Sequence, residues 1–301
     1  MVLEYVLDLK ETLKHPFFML IASILICSVS LWASYITFPK SSSILAIAFV
    51  TIALVPLFHS MFKSEEDKEV EKPGFAALFI ARHFNIIKVY AFFFIGMILA
   101  CAFWYSVVTP DVRVVMFAEQ ESVLGQISVL RENLSGAFSI SSEENITGAF
   151  SGSATACGSN PFCWFEIIFM NNLFVLIPML FFSIAYGAGA VFLLGWNASV
   201  LGVLIGKDIV QYSATHGGVA ALGIATNRAL GLIPHGMFEA LGYFVGAIAG
   251  GIIGVAISKK RHIKGEMNLI VKDVIVMVLY ALGLLAIGGL IEAYVIAGAL
   301  A

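Results

Sequence analysis

The chain has 301 residues, of which 60% are hydrophobic and only 12% are charged. Soluble domains carry about 25% charged residues, so this composition excludes an ordinary soluble protein and predicts an integral membrane protein. The net charge is −3 and no basic tract suggests binding to nucleic acid, so we expect no nucleic-acid partner. The lipid bilayer is the expected environment of an all-α, polytopic fold.

The first third of the chain predicts a surface helix followed by three transmembrane spans. Residues 1–15 combine mixed charges with an apolar face, which is typical of an interfacial helix. A bilayer core needs about 20 apolar residues, and residues 16–109 contain three such runs: 16–38, 43–62 and 89–109. The charged residues 63–74 are predicted as a loop, and residues 75–88 as a helix lying at the interface.

Residues 110–165 form the one sizeable polar region and predict an insert outside the membrane. Five apolar residues at helical spacing predict an amphipathic helix within it: Val123, Ile127, Leu130, Leu134 and Phe138. Cys157 and Cys163 flank a turn-forming segment in this region. Because disulfides persist outside the cell, these two cysteines are predicted to pair.

Residues 166–301 predict a transmembrane core. Four further runs are long and apolar enough to span: 167–187, 188–206, 233–257 and about 270–296. Residues 208–232 begin polar and are rich in glycine, which favours a re-entrant or interfacial segment. The total is about seven spans.

Basic residues predict the orientation in a cell membrane. Four of them cluster between the last two spans: Lys259, Lys260, Arg261 and Lys264. Residues 110–165 contain only two, Arg113 and Arg131. Since cytoplasmic loops are enriched in Lys and Arg, the N-terminus is predicted to be cytoplasmic and residues 110–165 extracytoplasmic.

The span at 233–257 combines polar residues with a column of glycines. Pro234 suits the first turn of a helix, and His235 and Glu239, four residues apart, share one face close to the positive end of the helix dipole. Small residues spaced by four let a second helix approach closely in lipid. The glycines predicted to form this packing seam are Gly242, Gly246, Gly250 and Gly254.

A rise of about 1.5 Å per helical residue predicts the depth of the polar residues. Glu292 is twenty residues beyond Lys272, or about 30 Å, which places it near the outer boundary of the bilayer. A polar intramembrane cluster is therefore predicted at this level: Asn171, Asn172, His235, Glu239 and Glu292. Asn197 falls nearer the middle of its helix.

Two interpretations of this cluster stay open. The side chains can hydrogen-bond one another and hold the bundle together, as Asn and His do in membranes. Alternatively they form a site, because ionisable residues at membrane depth mark binding and transport pathways. His235, Glu239 and Glu292 would then bind a divalent cation, relay protons or hold a polar headgroup.

Three segments of the second half resemble the stage II sporulation protein M (SpoIIM-like) family of prokaryotic membrane proteins. They are NNLFVLIPMLFFSIAYGAGAVFLLGWNASVLGVLIG, IPHGMFE and GGLIEAY, and the resemblance covers about 166–297. It carries the family's polar positions onto Asn171, Asn172, Asn197, His235, Gly236, Glu239 and Glu292. It implies a cell-membrane protein that acts with partners, in spore formers during cell-wall remodelling, and it implies no agreed reaction.

Three functions are compatible with these features. The first is a non-catalytic scaffold or subunit of a membrane complex, forming homo-oligomers or binding other membrane proteins. The second is a transporter or channel component that uses the polar cluster. The third is an intramembrane metal-dependent hydrolase. The sequence contains neither the HExxH nor the GxSxG motif of known hydrolases. We therefore expect a non-enzymatic role.

Overall fold

The computed structural model describes residues 12, 15–71, 79–126, 157, 159–186, 189–259 and 267–300. These residues are almost entirely helical and include no strand. The helices are α1 Phe17–Thr37, α2 Ser42–Glu71, α3 Phe79–Val107, α4 Pro110–Met116, α5 Pro161–Tyr186, α6 Ala190–His216, α7 Gly218–Ser258 and α8 Met267–Leu300. A short 3-10 turn, Pro39–Ser41, joins α1 to α2, and residues 118–126 continue as helix beyond α4.

Seven of the described helices, all except α4, are long and apolar enough to cross a membrane. Lipid offers no hydrogen bonds to the backbone, so a spanning segment must pair its own N–H and C=O groups within a helix. The predicted all-α, polytopic membrane fold with about seven spans is confirmed.

Helix α7 lies at the centre of the bundle and is the most buried of the seven. It packs against α8, α6, α5 and α2, while α1 packs on α2 and α3. The glycines of α7 explain these contacts, because they let neighbouring backbones approach. A Cβ atom added to Gly254 would lie 2.8 Å from the carbonyl oxygen of Ile184 on α5. One added to Gly242 would lie 3.1 Å from the carbonyl oxygen of Ala281 on α8.

A second set of glycines joins α6 to α3. A Cβ atom on Gly202 would lie 2.7 Å from the carbonyl oxygen of Ile98, and one on Gly206 would lie 3.0 Å from that of Ala102. The two helices therefore pack closely without bulky side chains between them. The sequence prediction placed a glycine seam only on the later helix.

Two helix boundaries differ from the sequence prediction. Residues 63–71 were expected in a charged loop, but α2 continues through them to Glu71. Lys and Glu are good helix formers, so charge ends the apolar span here without ending the helix. Residues 79–88 likewise form the first turns of α3 and not a separate surface helix.

The expected re-entrant segment at 208–232 is instead a helical hairpin. Helix α6 runs on to His216, and α7 begins at Gly218 after a single residue, Gly217, whose φ of +81° reverses the chain. Arg228 of α7 crosses to α6, with its Nε 3.2 Å from Asp208 Oδ2 and its Nη1 donating to the Tyr212 hydroxyl over 2.8 Å. The polar residues that argued against a span thus pair between two helices.

Several predicted features lie wholly or mainly outside the described residues. These are the N-terminal surface helix within 1–15 and most of the insert, at 127–156. At the end of the insert, Cys157 and Cys163 are joined by a disulfide with a Cα–Cα distance of 5.4 Å. Cys157 packs with Trp164 of α5 and Ala293 of α8, so the disulfide lies beside these two helices.

The glycine contacts of α7 give a direct test of its packing. Gly254→Val should lower the free energy of unfolding by about 1–3 kcal/mol, because the new side chain meets the carbonyl oxygens of α5. Gly283→Val on α8 is the matched control, since a Cβ atom there meets nothing within 4 Å. Unfolding in lipid bicelles measures both. Equal effects would contradict the proposed close approach.

Candidate functional site

Asn172 is the junction of a polar cluster between α5 and α7. Its Nδ2 donates to Oε1 of Glu239 over 2.8 Å, and its Oδ1 accepts a hydrogen bond of 2.6 Å from the Tyr243 hydroxyl. The Asn172 residue is only 5% exposed. An amide has both a donor and an acceptor, so one side chain satisfies two polar groups that lie one turn apart on α7.

Helix α8 closes the cluster from another side. A Cβ atom on Gly288 would lie 2.9 Å from Cγ of Glu239 and 3.1 Å from the carbonyl oxygen of His235. Glu292, one turn further along α8, interacts electrostatically with Glu239, as does His235. Glu292 and His235 are both half-buried. Because Gly288 has no side chain, α8 can approach α7 closely and place the Glu292 carboxylate near that of Glu239.

The structure brings together four of the predicted cluster residues: Asn172, His235, Glu239 and Glu292. Asn171 is not among them, because its side chain is exposed on the outside of α5. Asn197 donates to the carbonyl oxygen of Leu193 in its own helix over 2.8 Å. A Cβ atom on Gly236 would meet nothing within 4 Å, so no close packing requires a glycine there.

Two observations bear on the chemistry expected of the cluster. Among the described residues, no group of three or more His, Cys, Asp and Glu side chains is arranged to hold a metal ion. A divalent cation at His235, Glu239 and Glu292 stays a prediction. Pro234 also does not begin a helix, because α7 starts at Gly218 and includes it. His235 and Glu239 are thus far from the helix N-terminus whose dipole was expected to act on them.

Sequence reasoning missed Tyr243 as a member of the cluster. Its hydroxyl donates to Asn172, and the residue is 6% exposed. The available signal was its position four residues after Glu239, on the same face of the helix. In an apolar helix an aromatic residue is more often read as packing, although a buried tyrosine hydroxyl needs a partner.

A second set of paired charges lies at the C-terminal end of α7, which we call the Lys259 end. Glu66 of α2 accepts a hydrogen bond of 2.6 Å from Nζ of Lys259, and Glu65 Oε2 lies 2.6 Å from Nδ1 of His83 on α3. Glu65, Glu66 and His83 are at most 1% exposed. Sequence analysis placed Glu65 and Glu66 in a loop and His83 on the surface, and so missed these pairs.

A third network ties the start of the insert to α3 and α6. The Tyr105 hydroxyl donates to Glu121, whose other carboxylate oxygen lies 3.3 Å from Nζ of Lys207. Gln120 is buried and donates to the Ser199 hydroxyl over 3.1 Å. These contacts fix residues 117–126 against α3 and α6.

A comparison with family models finds a match to the family described as stage II sporulation protein M (SpoIIM), over residues 89–295. The chain belongs to the SpoIIM family. The resemblance seen in the sequence is thus confirmed, and the matched range begins earlier than 166, within α3. It includes every residue of the polar cluster and leaves α1 and α2 outside. No curated protein and no solved structure matches the chain.

The central position of Asn172 predicts a large cost for its removal from this SpoIIM-family protein. Asn172→Leu leaves Glu239 and the Tyr243 hydroxyl without their partner and should destabilise the fold by about 1–3 kcal/mol. Tyr243→Phe, which removes one hydrogen bond, should cost about 0.6 kcal/mol. Unfolding in bicelles measures both values.

Asn197→Leu serves as the control, because that amide bonds only within its own helix. A cost for Asn172→Leu no larger than that of Asn197→Leu would show that the cluster does not join the helices.

Proposed function

We propose that this multi-pass SpoIIM-family protein is a non-catalytic subunit of a membrane complex. Its polar cluster holds α5, α7 and α8 in a fixed arrangement and presents the remaining polar groups to a partner. The observation that carries the proposal is the double hydrogen bond of Asn172, which engages Glu239 and Tyr243 and leaves His235 and Glu292 half-buried beside them. The partner-dependent role implied by the family resemblance supports the same conclusion.

The orientation belongs to this proposal. The Lys259 end carries the basic residues of the last connecting segment and is assigned to the cytoplasm, since Lys and Arg are enriched there. The disulfide Cys157–Cys163 then lies at the outer face, where disulfides persist, and the cluster lies in the outer half of the membrane. A partner that binds the cluster therefore approaches from the outer half of the membrane or from outside the cell.

Extraction of the native membranes into polymer nanodiscs tests the subunit role. The protein should be recovered in an assembly with a second membrane protein at fixed stoichiometry, with a protein mass well above the 32.5 kDa of one chain. The double variant His235→Gln/Glu292→Gln should reduce the assembled fraction about tenfold, which corresponds to about 1.4 kcal/mol.

Glu119→Gln is the control for this experiment, because it removes an exposed carboxylate outside the cluster. Recovery of the chain only as a single copy, or equal assembly of the double variant and the control, would contradict the proposal.

A second candidate function is the binding of a proton or a monovalent cation as part of a transport pathway. Glu239 and Glu292 interact electrostatically, and no described Lys or Arg forms an ion pair with either. Two carboxylates at the margin of the hydrocarbon are costly when both are ionised, and a shared proton or a bound cation relieves that cost.

This candidate predicts a ligand-dependent stability. Sodium or potassium at a hundred times its dissociation constant should stabilise the protein by about 2.7 kcal/mol, measured as a rise in melting temperature. Glu239→Gln and Glu292→Gln should abolish the rise, whereas Glu119→Gln should keep it. If neither cation stabilises the protein, and proteoliposomes containing it take up protons no faster than those containing Glu239→Gln, the candidate is wrong.

A further inference from the structure

Asn171 presents a polar side chain on the outside of the bundle. Its neighbour Asn172 is buried and bonded to α7, whereas Asn171 is exposed. Successive residues of a helix point about 100° apart, and of these two amides only Asn172 faces α7. Among the described residues, none forms a hydrogen bond with the Asn171 side chain.

The depth of Asn171 follows from the rise of two helices. It lies fifteen residues before Tyr186, the last residue of α5, or about 22 Å along the axis. Asn172 bonds to Tyr243, which lies sixteen residues before Lys259, or about 24 Å. Both distances are shorter than the hydrocarbon core of about 30 Å. The Asn171 amide is therefore exposed inside the core, where an unpaired polar group is unfavourable.

The surface around Asn171 fits a second helix. Nearby exposed side chains of α5 follow a spacing of seven and four residues, and they are Met170 at 40%, Ile177 at 53% and Phe181 at 64% exposure. This spacing is the one by which helices pack at a crossing angle of about 20°. Lipid tails can cover the apolar residues, but they cannot bond the amide.

We propose that a second copy of this chain occupies this face, with α5 packed against α5 about a two-fold axis. An asparagine side chain is self-complementary, because its amide has both donor and acceptor groups. Across a two-fold axis each Asn171 then bonds the other, as the symmetry of an isologous interface requires. This inference rests on the proposed role as a complex subunit and names one of its partners.

Self-association of the purified full chain tests the interface. Fluorescence energy transfer between labelled copies, diluted in bicelles, gives the dissociation constant of the dimer. Asn171→Leu should weaken it about 3- to 20-fold, the range expected for one to two interhelical hydrogen bonds. Asn171→Gln, which keeps the amide, should restore most of the affinity. Met170→Leu, at an adjacent exposed position, should leave it unchanged.

Oxidative cross-linking provides an independent measurement. Asn171→Cys should form an intermolecular disulfide in membranes treated with copper phenanthroline, giving a band at twice the 32.5 kDa of the chain. Ile275→Cys, a 54% exposed position on α8, is the control. The background is low because Cys27 and Cys101 are buried and Cys157 and Cys163 are already paired.

The interface is wrong if Asn171→Cys cross-links no more than Ile275→Cys, or if Asn171→Leu dimerises as well as Met170→Leu. In that case the native nanodisc assembly separates the two proposals. Recovery of the chain with a different membrane protein overturns only the two-fold interface, whereas recovery of single chains overturns the subunit role as well. A dimer that depends on Asn171 supports the interface in either case.

Discussion

The close approach of neighbouring backbones to α7 is the constraint on which the rest of the bundle depends. Lipid does not drive helices together as water does, so association relies on packing at short distance. The glycines of α7 provide that distance towards α5, α8 and α2. Once α5 and α8 are held in this way, Asn172, Glu239 and Glu292 arrive at one depth. The polar cluster is thus a consequence of how α7 packs, and Gly288 extends the same principle to α8.

Hydropathy predicted the seven spans because the bilayer imposes both their length and their helical state. It did not predict where the helices end. Charged residues such as Glu65 and Glu66 stop an apolar run, yet they are good helix formers and they find buried partners in His83 and Lys259. In residues 208–232 the polar side chains pair across a hairpin. Such long-range pairs have no signature in a single local window of sequence.

The depth of a polar residue along its helix was predictable, whereas the side of the helix on which its side chain lies was less so. Counting residues at a constant rise grouped Asn172, His235, Glu239 and Glu292 correctly, since a transmembrane helix is nearly straight. The same count could not separate Asn171 from Asn172, which share a depth but differ in burial, since one is exposed and the other is bonded to α7. Only the position of α7 relative to α5 decides which of the two amides is buried, and that position depends on tertiary packing.

The C-terminal end and the middle of α7 differ in how the carboxylates around them are paired. At the Lys259 end, Glu66 faces a lysine and Glu65 a histidine, so each buried carboxylate has a basic partner. Near the middle of α7, Glu239 is held by an amide, and Glu292 adds a second carboxylate with no described lysine or arginine paired to either. A buried charge without a counter-charge is unfavourable unless a proton, a cation or a partner's donor group compensates it. Each function proposed for the polar cluster supplies one of these three, which is why the search for what this protein binds belongs at that cluster.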